Sequence, residues 1–520
     1  MSSIFGFVLY LLASLACNVD GENILFLHAF GSRSHRISMM PLANALVSRG
    51  HNITYIAAVP AENPNPKMVD IIPKDFTAFI KNTVHTLFDA RIRASKQGPI
   101  PMTKFAKLFA HSCSVLLTSS EFQAWLQTSP KIDLVVMDLI PDCGLGIAHK
   151  LNAKAIVYST LPMYSRTVET VKIPPEALTP YGDHVYNAGR MTFFDKIKQV
   201  LMPLLTFYYE YVHAPAFELI LQQGLNITNM PTLHDLYNNV SVVFMAGNYI
   251  TELPRSLPPM FVAVPGLHLQ AKSNALPKEI EEFIENEDGF VYISFGTVVV
   301  AHHLPIHIQN VFMDTIRAFP RIQFLWRWDG ELPKNMPDNL YMSKWFPQQD
   351  VLGHPKIRAF ITQAGRPSLQ EALVNAVPMI TLPFHGDQDF NAMRLDEIGV
   401  SIPLEISEIT EQQLQSALTR ALYDTEFRKN VKKMSNIFTD LPMKPIDTAV
   451  WWTEYVLRHE DVSYLKPMGR NLTWYERRHL DVWLAILLTI LITLLCIAAL
   501  LVSVFRFFKS VLSIEKLKTS

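Results

Sequence analysis

The sequence predicts an α/β protein: two doubly wound, Rossmann-like parallel-sheet domains followed by one C-terminal transmembrane helix. Three observations carry that expectation. Short apolar runs alternate with helix-length segments through both halves of the chain. A Pro-rich stretch, residues 253–277, separates the halves. A long uncharged apolar run, residues 482–505, stands near the C-terminus.

The elements follow in order. Residues 4–16, IFGFVLYLLASLA, carry small residues at Ser14 and Ala16 and read as a secretory signal, assigned to residues 1–17. Residues 23–27 and 53–57 read as strands, the second after a helix stop at Arg49-Gly50-His51. Residues 134–137 and 155–158 are strand-like and flank a segment around Ala148. Beyond the Pro-rich break, residues 290–295, 323–326, 359–362 and 379–382 repeat the pattern. Buried runs separated by helices imply parallel sheets covered on both faces. Ligands of such sheets bind beyond the carboxyl ends of the strands. The expected domains are residues 18–270 and 271–460. Residues 199–212, QVLMPLLTFYYEYV, are unusually apolar. Burial as a core helix is the favoured reading, ahead of a pocket wall or a helix resting on a membrane.

Residues 482–505 suffice to cross a bilayer, which needs about 20 apolar residues. Arg506, Lys509, Lys516 and Lys518 against Glu515 place the tail, residues 506–520, in the cytosol. With the signal removed, the body between lies in the lumen, a type I arrangement. Lys516 and Lys518 match the dilysine retrieval spacing, so the endoplasmic reticulum membrane is the expected location.

Charge excludes one function class: 46 basic residues balance 47 acidic ones, and a nucleic-acid binder carries a basic excess. The cysteines are Cys17, Cys113, Cys143 and Cys496, with no zinc-ligand spacing among Cys and His. Pairing of Cys113 with Cys143 is left open. His302, His303 and His307 read as a solvated helix start. Asn52, Asn226, Asn239 and Asn471 open N-x-Ser/Thr tripeptides. Asn471 is the best exposed candidate for glycosylation, and Asn52, at a strand start, the poorest.

Residues 345–391 read WFPQQDVLGHPKIRAFITQAGRPSLQEALVNAVPMITLPFHGDQDFN. This segment resembles the signature of the UDP-glycosyltransferases, in particular the membrane-bound animal branch that includes the UDP-glucuronosyltransferases. With the signal, the SFGT element, the span and the basic tail, the resemblance extends over nearly the whole chain. It implies the GT-B fold, with the donor in the second domain and the acceptor in the first. It implies inverting transfer of a sugar, glucuronate or glucose, from a UDP-sugar to a small lipophilic acceptor.

The same resemblance implies roles for single residues. Trp345 stacks on the uracil, since its broad apolar face suits a flat base. Gln348 and Glu371 hold the ribose hydroxyls. Ser294 and Thr297 of the SFGT turn lie beside the diphosphate, with Gln363, Gly365 and Ser368. Ser368 opens an expected helix over residues 368–375, whose N-terminus favours negative charge. Asp387 and Gln388 hold the sugar hydroxyls. Asp387 and Asp389 also spell D-x-D, which suits a divalent cation; the surrounding signature argues against one. No metal and no cofactor beyond the donor substrate is expected. His35 is the implied general base, its ordinary pKa of about 6.5 being close to operating pH. Asp138 is the implied partner that orients it. His28 is a rival base with a buried pattern, and His51 is expected to cap the helix before the second strand.

Three residues depart from the family pattern. Gln363 stands where the family carries His and removes a charge from the donor site. Pro367 removes a backbone N–H from the diphosphate loop. Arg366 would restore positive charge from a new direction. These departures sustain an alternative: a catalytically impaired lipophile-binding or regulatory homologue. The implied partners are a UDP-sugar, a lipophilic acceptor and the membrane; homo-oligomerisation and the acceptor's identity stay open.

Overall fold

The polypeptide builds two parallel sheets, described here from a computed structural model that covers residues 21–30, 33–96, 102–174, 179, 181, 191–270, 273–285 and 288–518. The signal segment and the side chains of Lys516 and Lys518 lie outside the described residues. The first sheet holds β1 (Asn23–His28), β2 (Asn52–Ala57), β3 (Met68–Ile71), β4 (Leu134–Asp138), β5 (Lys154–Ser159), β6 (Val240–Met245) and β7 (Phe261–Ala263). Its order is β3-β2-β1-β4-β5-β6-β7. The second holds β8 (Phe290–Ser294), β9 (Gln323–Arg327), β10 (Leu340–Ser343), β11 (Ile357–Thr362), β12 (Met379–Thr381) and β13 (Ser401–Pro403), in the order β10-β9-β8-β11-β12-β13.

Each sheet starts in its middle, runs to one edge, then crosses back past its first strand. The reversal falls between β1 and β4 and between β8 and β11, both parallel pairs. Crevices at such switch points hold ligands. The inner strands are apolar along their middles because helices cover both faces; Ile24, Leu25 and Phe26 are fully buried. The sequence reading lacks β6 and all four sheet edges, β3, β7, β10 and β13. An edge strand is ordered by its one neighbour and needs no continuous apolar run, as the half-exposed MVDI of β3 illustrates.

The two sheets exchange pieces. Helix Pro445–Arg458 returns from the second sheet to the first. There Glu454 accepts from Arg49 Nη2 at 2.9 Å, and Lys154 Nζ donates to the carbonyls of Val456 (2.8 Å) and His459 (2.6 Å). His51 joins this brace: Nδ1 accepts from the Glu22 amide at 3.2 Å, and Nε2 lies 3.6 Å from Glu454. Its backbone N–H donates to the Leu46 carbonyl at 3.1 Å, so it caps helix Arg33–Ser48 as expected and also pins the start of β1. In the other direction, Ala90 and Ala94 are buried in the core of the second sheet. Arg93 between them bonds Asp389 (2.7 Å) and Glu405 (2.6 Å). His303 Nδ1 reaches Asp89 at 2.9 Å, so this histidine is a strut and not merely a solvated helix start.

Cys113 and Cys143 form a disulfide between helices Met102–Thr118 and Cys143–Lys150. Asn52, Asn226, Asn239 and Asn471 are all exposed. Residues 199–212 belong to the long helix Phe193–Leu225, and here the expectation of a core helix fails. Gln199 and Thr206 are buried, whereas Leu205, Tyr208 and Tyr211 are exposed. Over residues 199–212 the helix turns Gln199 and Thr206 inward, while its later turns bury Phe217, Leu221 and Leu225. Among the described residues one helical segment, Leu480–Ser510, whose most apolar 18 residues have a mean hydropathy of 3.1, is long and apolar enough to cross a membrane.

The Arg93 clamp yields a first prediction. Arg93→Met leaves Asp389 and Glu405 without their cation. Because these groups are partly solvated, the expected loss is modest: a fall of about 1–3 °C in the thermal midpoint of the detergent-solubilised chain. An unchanged midpoint by scanning calorimetry would show that the clamp contributes nothing.

Candidate active site

A cavity of about 1240 Å³ opens where the switch points of the two sheets meet. Its wall includes residues within three positions of strand ends: Phe30 beyond β1, Ile140 beyond β4, Thr160 beyond β5, Phe295 beyond β8, Gln363 beyond β11 and Phe384 beyond β12. One end is apolar, with Phe30 packed on Phe109 at 5.2 Å between ring centroids and Phe105 on Phe109 at 5.9 Å.

His35 stands beside that apolar end. The helix carrying it is Arg33–Ser48, so His35 sits in its first turn. Its Nδ1 meets Asp138 Oδ2 at 2.5 Å and Thr160 Oγ1 at 3.2 Å. Asp138 is the last residue of β4 and is buried. Burial opposes a charge on the His35 imidazole, but the Asp138 charge and hydrogen bond, helped by Asp387, outweigh it and raise its pKa above the ordinary value. The tautomer follows: Nδ1 carries the proton shared with Asp138, and Nε2 is the basic nitrogen.

His28, the rival, is enclosed. Neither ring nitrogen has a hydrogen-bond partner, and burial, then the neighbouring His35, push its pKa down to about 3 against Asp138. His28, His35 and Asp138 have donor atoms within 4.8 Å of one another, a spacing that invites a metal. The imidazole planes, however, stack within 14° at 5.4 Å. Ring lone pairs lie in the ring plane, so stacked rings aim past each other instead of converging on one ion. The trio does not fit a metal site. The D-x-D carboxylates are also engaged: Asp389 by Arg93, and Asp387 as acceptor from Asn391 Nδ2 at 2.6 Å.

The second sheet supplies the opposite wall. Trp345 follows β10 and is 44% exposed. The Arg33 guanidinium lies 4.5 Å from its ring centroid and that of Arg327 lies 5.5 Å away. Gln348 Nε2 donates to Glu371 Oε2 (2.6 Å) and to Ser368 Oγ (2.8 Å). The remaining Glu371 oxygen lies 3.3 Å from His268 Nε2. Gln348 and Glu371, expected together at the ribose, thus meet; Ser368, expected at the diphosphate, and His268 join them. Sequence reasoning missed His268 because nothing in the Pro-rich stretch marks it.

The loop after β11 needs closer reading. Its helix runs Arg366–Val374, two residues longer at the front than expected, with Gly365 as extended N-cap. Pro367 therefore lies in the first turn, where no amide proton is required by the helix. Gln363 Oε1 accepts from Thr362 Oγ1 at 3.1 Å. A Cβ on Gly296, which sits at φ +72°, would collide with the Gln363 amide nitrogen. The amide of Gln363 thus faces the SFGT turn, where Ser294 Oγ accepts from Gly296 N at 3.4 Å and Thr297 lines the cavity. Arg366 corrects another expectation: its guanidinium pairs with Glu252 at 2.7 Å and bonds Asn391 at 3.3 Å. Asn391 also holds the carbonyl of Ala364, a residue in the left-handed region at φ +64°. Gln388 Oε1 accepts from the amides of Phe384 (2.9 Å) and His385 (3.2 Å), which shapes the loop beside Asp387. Burial raises the Asp387 pKa, with Arg366 acting against it, and holds His385 neutral at about 3.

One electrostatic feature unites the walls. Among the described residues, each arginine lining the cavity faces a carboxylate: Arg33 with Glu62, Arg36 with Asp70, Arg93 with Asp389 and Glu405, Arg166 with Asp142, Arg327 with Asp329, and Arg366 with Glu252.

The His35–Asp138 geometry predicts a pH effect. A base works only when neutral, so the acidic limb of kcat/KM should lie above the ordinary histidine value of 6.5. Asp138→Asn removes both influences that raise it and leaves burial, so the limb moves to lower pH. The same change lowers kcat by roughly 10²–10⁴-fold. A limb that stays in place would separate Asp138 from the base.

Comparison with known proteins agrees with this geometry. The family model for UDP-glucoronosyl and UDP-glucosyl transferase matches residues 25–516. UDP-glucuronosyltransferase 1-2 of Rattus norvegicus is 30% identical over 496 residues, covering 91% of this chain and 90% of its own. UDP-glucuronosyltransferase 1A6 of Homo sapiens is 30% identical over 509 residues, with 92% of each chain covered. Among solved structures, the kitacinnamycin glycosyltransferase superposes with a TM-score of 0.57 at 15% identity, over 84% of this chain and 98% of that one. The calicheamicin glycosyltransferase CalG4 gives 0.54 at 15% identity, with the same coverage. A GT-B pair of parallel sheets and a signature matched along almost the entire chain lead to one assignment: this chain belongs to the UDP-glucuronosyl and UDP-glucosyl transferase family and is a UDP-dependent glycosyltransferase.

Proposed function

We propose that this transferase moves a neutral hexose from a UDP-hexose onto small lipophilic acceptors, with inversion and without a metal, in the lumen of the endoplasmic reticulum. The observation that carries the reaction is the 2.5 Å His35–Asp138 pair, set beside an apolar wall and across the cavity from the Trp345–Gln348–Glu371 group. The acceptor hydroxyl gives its proton to His35 Nε2 as its oxygen attacks the anomeric carbon. The bond from that carbon to the diphosphate breaks, and UDP leaves with the electron pair. Asp138 stabilises the imidazolium that forms. Trp345 stacks on the uracil, Gln348 and Glu371 take the ribose, and Asp387 and Gln388 take the sugar hydroxyls. The diphosphate rests on neutral donors: the amide of Gln363, the SFGT turn and the N-terminus of helix Arg366–Val374.

The pairing of the cavity arginines among the described residues supports a neutral sugar. A uronate carboxylate would compete with Glu252 for Arg366 or with Asp389 and Glu405 for Arg93. It would also approach Asp387. The names of the rat and human relatives point instead to glucuronate, so the donor must be tested directly. An impaired homologue is the weaker reading. Pro367 costs the helix nothing, and Gln363 keeps a donor aimed at the phosphate turn.

The expected result is UDP release with UDP-glucose at least roughly ten times faster than with UDP-glucuronate, a difference of about 1.4 kcal/mol, in membranes supplied with a panel of phenols. His35→Ala should cut release by roughly 10²–10⁴-fold while leaving UDP affinity nearly intact. Faster turnover with UDP-glucuronate would refute the donor assignment, and a His35→Ala chain that keeps a third of its turnover would refute the base.

Location rests on the apolar segment Leu480–Ser510 and on Lys516 and Lys518 near the C-terminus. Replacing both lysines with Ser should let the chain reach the Golgi, where the glycan at the exposed Asn471 matures. Glycans that stay sensitive to endoglycosidase H in that variant would argue against retrieval by this signal.

A further inference from the structure

Trp345 and Arg33 meet across the cavity. Arg33 opens helix Arg33–Ser48 on the wall of the first sheet, in the same turn as His35. Its guanidinium carbon lies 4.5 Å from the centroid of the Trp345 ring, which belongs to the wall of the second sheet. Both side chains line the cavity, so the guanidinium reaches the ring from the side open to the cavity. Flat groups in van der Waals contact stack at a spacing of about 3.5–4.0 Å. A base inserted between ring and guanidinium would set them about 7–8 Å apart, twice that spacing. At 4.5 Å one layer covers the ring, and that layer is Arg33. Arg33 is also weakly held. Among the described residues its one carboxylate partner is Glu62, and each of the two side chains is more than a third exposed. Its buried Nε has no hydrogen-bond partner. A cation in the first turn of a helix opposes the helix dipole. Arg327, whose guanidinium lies 5.5 Å from the same centroid, is fixed to its own wall instead. It donates to the carbonyls of Lys344, at 3.2 Å, and of Gly296.

We propose that Arg33 and the uracil of the donor compete for one face of Trp345, so that binding of the nucleotide expels the guanidinium. The inference rests on the reading of Trp345 as the uracil platform. It makes Arg33, a residue of the acceptor wall, a determinant of donor affinity. The guanidinium keeps an apolar ring covered in a cavity that also takes apolar acceptors, and the nucleotide must give back the strength of that contact. A cation–π contact at an exposed site is weak, which sets the scale at roughly two- to fivefold in affinity. The sign distinguishes this role from a simple electrostatic one. UDP is an anion, so the loss of a cavity cation by itself weakens its binding. A gain in affinity on removing Arg33 has to come from the uncovered ring.

Calorimetric titration of UDP into the detergent-solubilised full-length chain tests this, with Arg33→Ala, Trp345→Ala and the double variant. Arg33→Ala should tighten UDP by roughly two- to fivefold. In the Trp345→Ala background the same change should bring no gain, because residues in contact are not additive. Unchanged affinity in Arg33→Ala would overturn the proposal. Weaker affinity would overturn it as well, and would make Arg33 a group that holds the nucleotide. A gain that persists without Trp345 would place the effect elsewhere in the cavity and sink the competition. The underlying reading has its own readout: Trp345→Ala alone should weaken UDP at least roughly fivefold, the scale of one base stacked on an aromatic side chain. No loss in that variant would remove the uracil platform, and the proposal with it.

Discussion

The contact between His35 and Asp138 depends on a single topological fact: β4 lies beside β1 in the first sheet, although about a hundred residues separate them in sequence. The chain leaves β1, enters the helix that carries His35, visits β2 and β3, and returns on the other side of β1. Asp138 then ends β4 at the level where that helix begins. Parallel strands put their carboxyl ends on one side, so the acid and the base arise together at the switch point. The second sheet repeats the design with β8 and β11, and the diphosphate loop occupies the equivalent place. Facing the two switch points toward each other creates one cavity lined by His35, the partner of Asp138, and by Trp345, Gln348 and Glu371.

Electrostatics inside that cavity follow from burial. Charges removed from water are costly unless paired. The arginines around the cavity meet this constraint with carboxylates, several of them from distant parts of the chain, such as Glu252 for Arg366 and Glu405 for Arg93. In the proposed reaction the nucleotide diphosphate is therefore met by oriented neutral donors, and the sugar by hydroxyl-binding groups. The same burial holds His28 neutral and therefore silent beside an active histidine.

The exposed stripe of helix Phe193–Leu225 obeys the same physics from outside. Its residues are as apolar as a core, and they face away from it. Composition alone favours burial for such a segment, since apolar surface leaves water wherever it can. The inward side of the helix is instead chosen by the neighbouring helices Met102–Thr118 and Ser165–Thr170.

The sequence by itself determined the fold class, the inner strands and the residue types of the site. Inner strands are buried on both faces and must be apolar, so Asn23–His28 or Phe290–Ser294 announce themselves. The signature from Trp345 to Asn391 is legible because a flat base, two ribose hydroxyls and a sugar each demand a particular side-chain chemistry at a set spacing. Tertiary structure alone decided the rest. Edge strands depend on neighbours, disulfide partners on distance, and the tautomer of His35 on where Asp138 lands. It paired Arg366 with Glu252 rather than with phosphate, brought His268 to Glu371, and turned the aromatic side of a long helix outward. Each of these is a choice among partners far apart in the chain, and local propensity and pattern hold no information about which distant group will arrive.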